Sequence, residues 1–219
     1  MFAEPPKLFA RIATAIEELM SVPQIEFRSD QLEMEPARFS VVQFDAILGA
    51  GVFAQDSDHR LQLLRGEIVI MTPPNPLHDD VVSLANVWAI SLLGGLSPPT
   101  EVRCQSSMEL ASQDSVVLPA VAFVRSQSYS QRRPTPTDTR LVIEISGASL
   151  AYDLGEKMRL YAQAGVAEYW VIDVPHRALI VHLDPTNDRY RSVMTFAEHQ
   201  RVEATNLPGI WLVLSTLFR

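Results

Sequence analysis

A chain of 219 residues with 47% hydrophobic and 20% charged residues can bury a sizeable core as one large domain, which excludes disorder of the whole chain. Its formal net charge of −8 argues against a general nucleic-acid binder, since phosphates call for a basic footprint. Nucleic acid in a local cleft, or a divalent cation among carboxylates, stays compatible with that charge.

Residues 4–21 carry Leu8, Ile12, Ile16 and Leu19 on one stripe, which predicts a short amphipathic helix. A polar stretch follows to about Arg38, so residues 1–38 are expected to be an N-terminal helical extension and residues 39–219 the main domain. Ser40 with Gln43 has the spacing of a capping box, opening a helix that ends near Gly49–Gly51. Leu61 to Met71 predicts a β-hairpin turning at Arg65–Gly66. The TPPNP segment reads as a loop, because closely spaced prolines disfavour helix. His78 to Leu93 predicts an amphipathic helix with Val81, Leu84, Trp88 and Leu92 on one face.

Residues 101–110 and 117–125 read as strands, and the polar segment from Arg125 to Thr139 as a long loop. Arg140–Ser146 is an apolar run of the kind buried on both faces. A helix is expected from about Leu150 to Gly165, then a central strand in AEYWVIDV. ALIVHL and RYRSVMTF pair around the DPTND turn, and LPGIWLVLSTLF closes the chain as a short strand and a helical turn. The expected class is α/β (α+β), a mixed β-sheet flanked by helices with one principal helix crossing from strand to strand.

The candidate chemistry sits at residues 141–173. Glu144 interrupts a run of Leu, Val and Ile, where an unpaired carboxylate would cost several kcal/mol, so it calls for a metal, Lys157 or an arginine beside it. Lys157 and Lys7 are the only lysines among 18 basic residues, and an ammonium, unlike a guanidinium, can be tuned toward deprotonation. Asp153 lies four residues before Lys157. That spacing alone describes an exposed ion pair worth about 0.3–0.5 kcal/mol, and it gains interest only because the helix follows Glu144 directly. Glu67 and His78 are weak signals taken singly. The chain has no G-x-S-x-G elbow and no glycine-rich phosphate loop. The single cysteine, Cys104, excludes an intrachain disulfide and reads as a small packed hydrophobe. With an N-terminus unlike a secretory signal, it sets the expectation of a cytoplasmic protein. No apolar run approaches the roughly 20 residues that span a bilayer, so no membrane partner is expected.

The segments LRGEIVIM-TPPNPLH and LVIEIS-x3-LAYDLGEK-x3-YAQAGVAEYWVID resemble the Uma-two family of restriction-endonuclease-like proteins, in the PD-(D/E)xK nuclease superfamily. The similarity covers roughly residues 39–215. It implies a mixed sheet flanked by helices, DNA as substrate, and Mg²⁺ or Mn²⁺ as cofactor for phosphodiester hydrolysis. It further implies Glu144 as the second metal-binding acid and Lys157 as the catalytic lysine, moved from the position held here by Ser146 to the next helix. Asp153, Glu67 and His78 match positions near the family's cleft, Glu67 and His78 as weak metal ligands. One position departs from the pattern: Pro119 is followed by Ala120 where the family carries an aspartate, and Leu118 replaces a neighbouring acid. The expectation is therefore an endonuclease-like protein of reduced or lost activity. The alternatives are a non-catalytic homodimeric scaffold, or an active nuclease whose metal site is rearranged around Glu144 with Glu67, His78 or Asp114.

Overall fold

The structure is a computed structural model that describes residues 36–53, 60–71, 75–94, 96 and 99–218. The helix expected over 4–21 lies outside them. The chain divides into two units, Met1–Pro36 and Ala37–Arg219, and the second holds every element below.

Helix α1 (Val41–Gly49) opens on a reciprocal capping box: Ser40 Oγ accepts from the Gln43 amide, and Gln43 Oε1 accepts from the Ser40 amide. Strands β1 (Arg60–Leu64) and β2 (Glu67–Met71) form the expected hairpin. Its turn places Arg65 and Gly66 at φ 50° and 82°, the left-handed pair that a tight two-residue hairpin demands. Helix α2 (Pro76–Ser91) begins two residues before the sequence expectation. Asn75 caps it by accepting from the His78 amide, and Pro76 fills the first position, where its missing N–H costs nothing.

The two strands expected over 101–110 and 117–125 each divide. The first becomes β3 (Thr100–Cys104) and β4 (Met108–Leu110); the second becomes β5 (Ser115–Val117) and β6 (Val121–Arg125). Gln105 at φ 46° breaks the first run, and the two halves join different sheets. The remaining strands are β7 (Thr139–Ser146), β8 (Glu168–Asp173), β9 (Ala178–Pro185), β10 (Tyr190–Ala197), β11 (Arg201–Glu203) and β12 (Trp211–Val213). Between β7 and β8 runs helix α3, made of Leu150–Tyr152, a π-helical turn over Asp153–Lys157, and Met158–Ala164.

The main sheet has the order β10-β9-β8-β7-β6-β3, in which β7 and β8 are parallel and the other pairs antiparallel. A parallel pair needs a crossover, and α3 supplies it. A four-stranded antiparallel sheet, β2-β1-β5-β4, and the β11-β12 pair complete the fold. The fold class is thus the mixed α+β architecture expected.

Strand β7 is central, and its alternation decides where the chemistry lies. Leu141, Ile143 and Ile145 pack on one face with Val81, Val82 and Ala85 of α2, while Val142 packs on the other with Leu160, Tyr161 and Ala162 of α3. Glu144 and Ser146 share the face of Val142, because side chains alternate with a period of two. The carboxylate is thereby aimed at α3.

A second buried carboxylate ties the end of the chain to this sheet. Glu168, fully buried at the start of β8, accepts hydrogen bonds from Trp170 Nε1 and from the Thr205 and Asn206 amides, at 2.8, 3.1 and 2.7 Å. Glu168→Ala strands the buried Trp170 N–H and releases the Thr205 and Asn206 amides, and should cost about 1–3 kcal/mol, the penalty of an unsatisfied buried group. A urea-denaturation midpoint close to that of the unsubstituted protein would contradict this clamp.

Candidate active-site cleft

Glu144, Asp153 and Lys157 meet in one buried cluster. Lys157 Nζ lies 2.7 Å from Glu144 Oε1 and 3.9 Å from Asp153 Oδ1, and all three side chains are less than a tenth exposed. Asp153 and Lys157, four residues apart, share the inner face of α3 within a π-helical turn, and such turns recur at functional sites. The pair is therefore not the exposed helix pair that its spacing alone describes.

Every member of the cluster is anchored. Tyr161, one helical step beyond Lys157, donates to Glu144 Oε1 at 2.8 Å. Ser146 and Ser149 both donate to Asp153 Oδ2, at 2.7 and 2.6 Å. Tyr169 donates to the Asp153 carbonyl at 3.1 Å. Burial holds the Glu144 carboxyl above the usual carboxylate range; Asp153 adds to this, while the Lys157 ammonium and the Tyr161 hydroxyl oppose it. The Tyr161 phenol is pushed well up, first by burial and then by the negative charge of Glu144. Tyr161 is thus a donor throughout the physiological range.

The cluster forms one wall of a cavity of about 370 Å³. Its other walls include Arg60 and Gln62 of β1, Met71, Asn75 and His78 at the start of α2, Gln105, Leu118 and Ala120. His78 reaches the cleft and clamps it: Nε2 lies 2.8 Å from the Ile145 carbonyl, one residue from Glu144. A carbonyl only accepts, so Nε2 carries a proton and is not available as a metal ligand. Ala120 lines the cleft beside Leu118. β6 and β7 pair Val121 with Ile143, and one further step of that antiparallel register sets Ala120 opposite Glu144. Directly opposed residues have Cβ atoms about 5 Å apart.

Two expected participants stand elsewhere. Glu67 follows the hairpin turn, is half exposed, and pairs with Arg38 at 3.0 Å, outside the cavity lining. The hairpin register determines this, since Glu67 pairs with Leu64 at the turn end of the ladder, far along the strands from Arg60 and Gln62. Asp114 holds a left-handed turn at φ 41°, where its carbonyl accepts from Gly66, and it does not line the cleft. Sequence reasoning in turn missed Tyr161, Ser146, Ser149 and Gln62. The first two carried a signal, four residues from Lys157 on a helix and two from Glu144 on a strand. Gln62 carried none, because a different sheet delivers it.

These residues do not fit the divalent cation of the nuclease superfamily. Glu144 Oε1 is shared by Lys157 and Tyr161, Asp153 Oδ2 by two hydroxyls, and Ala120 and Leu118 have no lone pairs to offer. Among the described residues no group of three His, Cys, Asp or Glu side chains could hold a metal ion. The positive charge between the two acids is the Lys157 ammonium.

Residues 42–215 match the model of the Uma2 family, whose description reads "Putative restriction endonuclease". No curated protein matches the chain. Among solved structures, a "putative nuclease" from Anabaena variabilis is similar with a TM-score of 0.59 at 13% identity, over 84% of this chain and 98% of that one. At that identity the likeness concerns the fold.

Removing the ammonium leaves Glu144 and Asp153 face to face in a buried site, and Lys157→Met should cost about 3–5 kcal/mol at pH 8. The sign with pH follows from Glu144, whose folded-state pKa is already raised. A raised carboxyl contributes stability fully below its unfolded pKa of about 4.3 and loses it as pH rises through the folded value. The penalty of Lys157→Met should therefore shrink toward pH 4. Urea midpoints of both proteins across pH 4–8 test this, and a pH-independent penalty would contradict it.

Proposed function

The chain belongs to the Uma2 family, and we propose that it is a DNA endonuclease-like protein whose hydrolytic activity is reduced or lost. The observation that carries this reading is Ala120 opposite Glu144, in a cleft where both remaining acids are already engaged. A Mg²⁺ site that relies on one or two carboxylates plus water loses affinity steeply when one is removed. The lysine that would orient an attacking water in an active nuclease instead neutralises Glu144. What survives is the cleft itself, walled by both sheets and the two helices that flank them. The reading takes the protein to act in the cytoplasm on DNA.

Purified protein with Mg²⁺ or Mn²⁺ should leave supercoiled DNA intact, and Ala120→Asp should restore calorimetrically detectable divalent-cation binding. Cleavage by the unsubstituted protein that Glu144→Ala abolishes would sink the proposal and favour a rearranged metal site.

A homodimeric scaffold is a second reading. Strand β10 is the outer strand of the main sheet, and Val193 and Met194 on it are exposed. An unpaired edge of this kind invites a partner strand. A monomer by light scattering at micromolar concentration would remove this reading.

A further inference from the structure

The cleft holds polar atoms that no described residue satisfies. Gln62 lines the cavity, is 2% exposed, and its Oε1 is buried with no hydrogen-bond partner among the described residues. The same holds for His78 Nδ1, which lies 4.0 Å from the Asp79 carboxylate, too far for a hydrogen bond. Such orphaned atoms each cost about 1–3 kcal/mol and are rare in native proteins unless a ligand or water completes them. His78 Nε2 carries its ring proton toward Ile145, which leaves Nδ1 as the ring atom without a partner among the described residues. Glu144 Oε2, on the same cavity, takes no hydrogen bond among the described residues and accepts only, while ionised. Glu144, Asp153 and Lys157, when all are charged, leave one net negative charge beside these acceptors.

A complementary occupant presents N–H donors toward Gln62 and Glu144 and keeps any anionic group away from them. Beside the acceptors, Met71, Leu118, Ala120 and Ala148 give the cavity apolar surfaces that suit a flat ring better than a hydrated ion. Its volume lies within the range of small-ligand sites. At its rim Arg60 donates to Gln105 Oε1 and takes no carboxylate partner among the described residues, leaving a cation for a phosphate.

On the nuclease-fold reading above, we propose that the cleft receives one unpaired nucleobase bearing an exocyclic amino group, and that Gln62 selects it. The amino group donates to Gln62 Oε1 and Glu144 Oε2, and the backbone phosphate lies toward Arg60. Cytosine and adenine offer that donor at the position where thymine has a carbonyl that the acceptors repel, and guanine offers it on the far side of its ring from N7.

Fluorescence anisotropy with the full chain and labelled single-stranded oligo-dC, oligo-dA and oligo-dT, without divalent cation, tests the assignment. Oligo-dC or oligo-dA should bind roughly tenfold or more tightly than oligo-dT, the discrimination expected of one good base contact. Gln62→Leu and Gln62→Met, both of similar volume and free of the orphaned oxygen, should remove the preference, bringing oligo-dC, oligo-dA and oligo-dT to similar affinity. Equal affinity for all three oligonucleotides, or a preference that survives both substitutions, overturns the assignment while leaving the nuclease-fold reading intact. Calorimetric Mn²⁺ binding that Gln62→Leu abolishes, with no base preference, assigns the acceptors to a hydrated cation and overturns it as well. Failure of every single-stranded and duplex DNA to bind overturns the nucleic-acid reading itself, and this inference with it.

Discussion

A carboxylate at the centre of a sheet must be neutralised or hydrogen-bonded, and the region around Glu144 is organised by that demand. Strand β7 lies between β6 and β8 with both faces covered, so no water-facing side is open to the Glu144 side chain except the cleft. Lys157 and Tyr161 meet the demand from α3, and Lys157 and Asp153, four residues apart, share one face of its π-helical turn. A local irregularity of the helix is thus tied to a charge on the neighbouring strand.

On the proposed reading, the same cluster separates this chain from a working metal centre. In a hydrolytic site of this class the acids hold a cation and the lysine handles water. Here the Lys157 ammonium lies between the two acids, and Ala120 contributes only surface to the cleft. The cluster still carries one net negative charge when fully ionised, and burial raises the proton affinity of Glu144 in response. Stability and any surviving chemistry are therefore coupled to pH through one carboxyl. The core behind the cleft, from Leu141 and Ile143 to Trp170 and Ile172, meets it only through Ala120 and Ile145.

Much of the fold was legible because its strands carry strong local patterns. The hairpin at Arg65–Gly66, the run into β7, the glycine that ends α3, and the pairing of β9 with β10 all follow from short-range rules. The segment around 101–125 was not legible in detail. Its apolar pattern is continuous, but Gln105 takes a left-handed conformation and sends the two halves to separate sheets, a choice that only long-range pairing rewards. The start of α2 was missed for a smaller reason: Asn75 and Pro76 cap a helix that the prolines before it seemed to forbid.

Sequence alone determined the chemical inventory: a Glu inside an apolar strand, a rare lysine on the following helix, and an alanine after Pro119. Tertiary structure alone decided which of these meet. Glu67 and Asp114 lie close to the cleft in sequence terms, yet hairpin register and a left-handed turn hold them out of it. Gln62, with no local signal, enters from the second sheet with its oxygen unpaired. Local rules act over a few residues, through capping, turns and alternation. A cleft is assembled where two sheets and two helices converge, and its contents depend on registers that no single segment encodes.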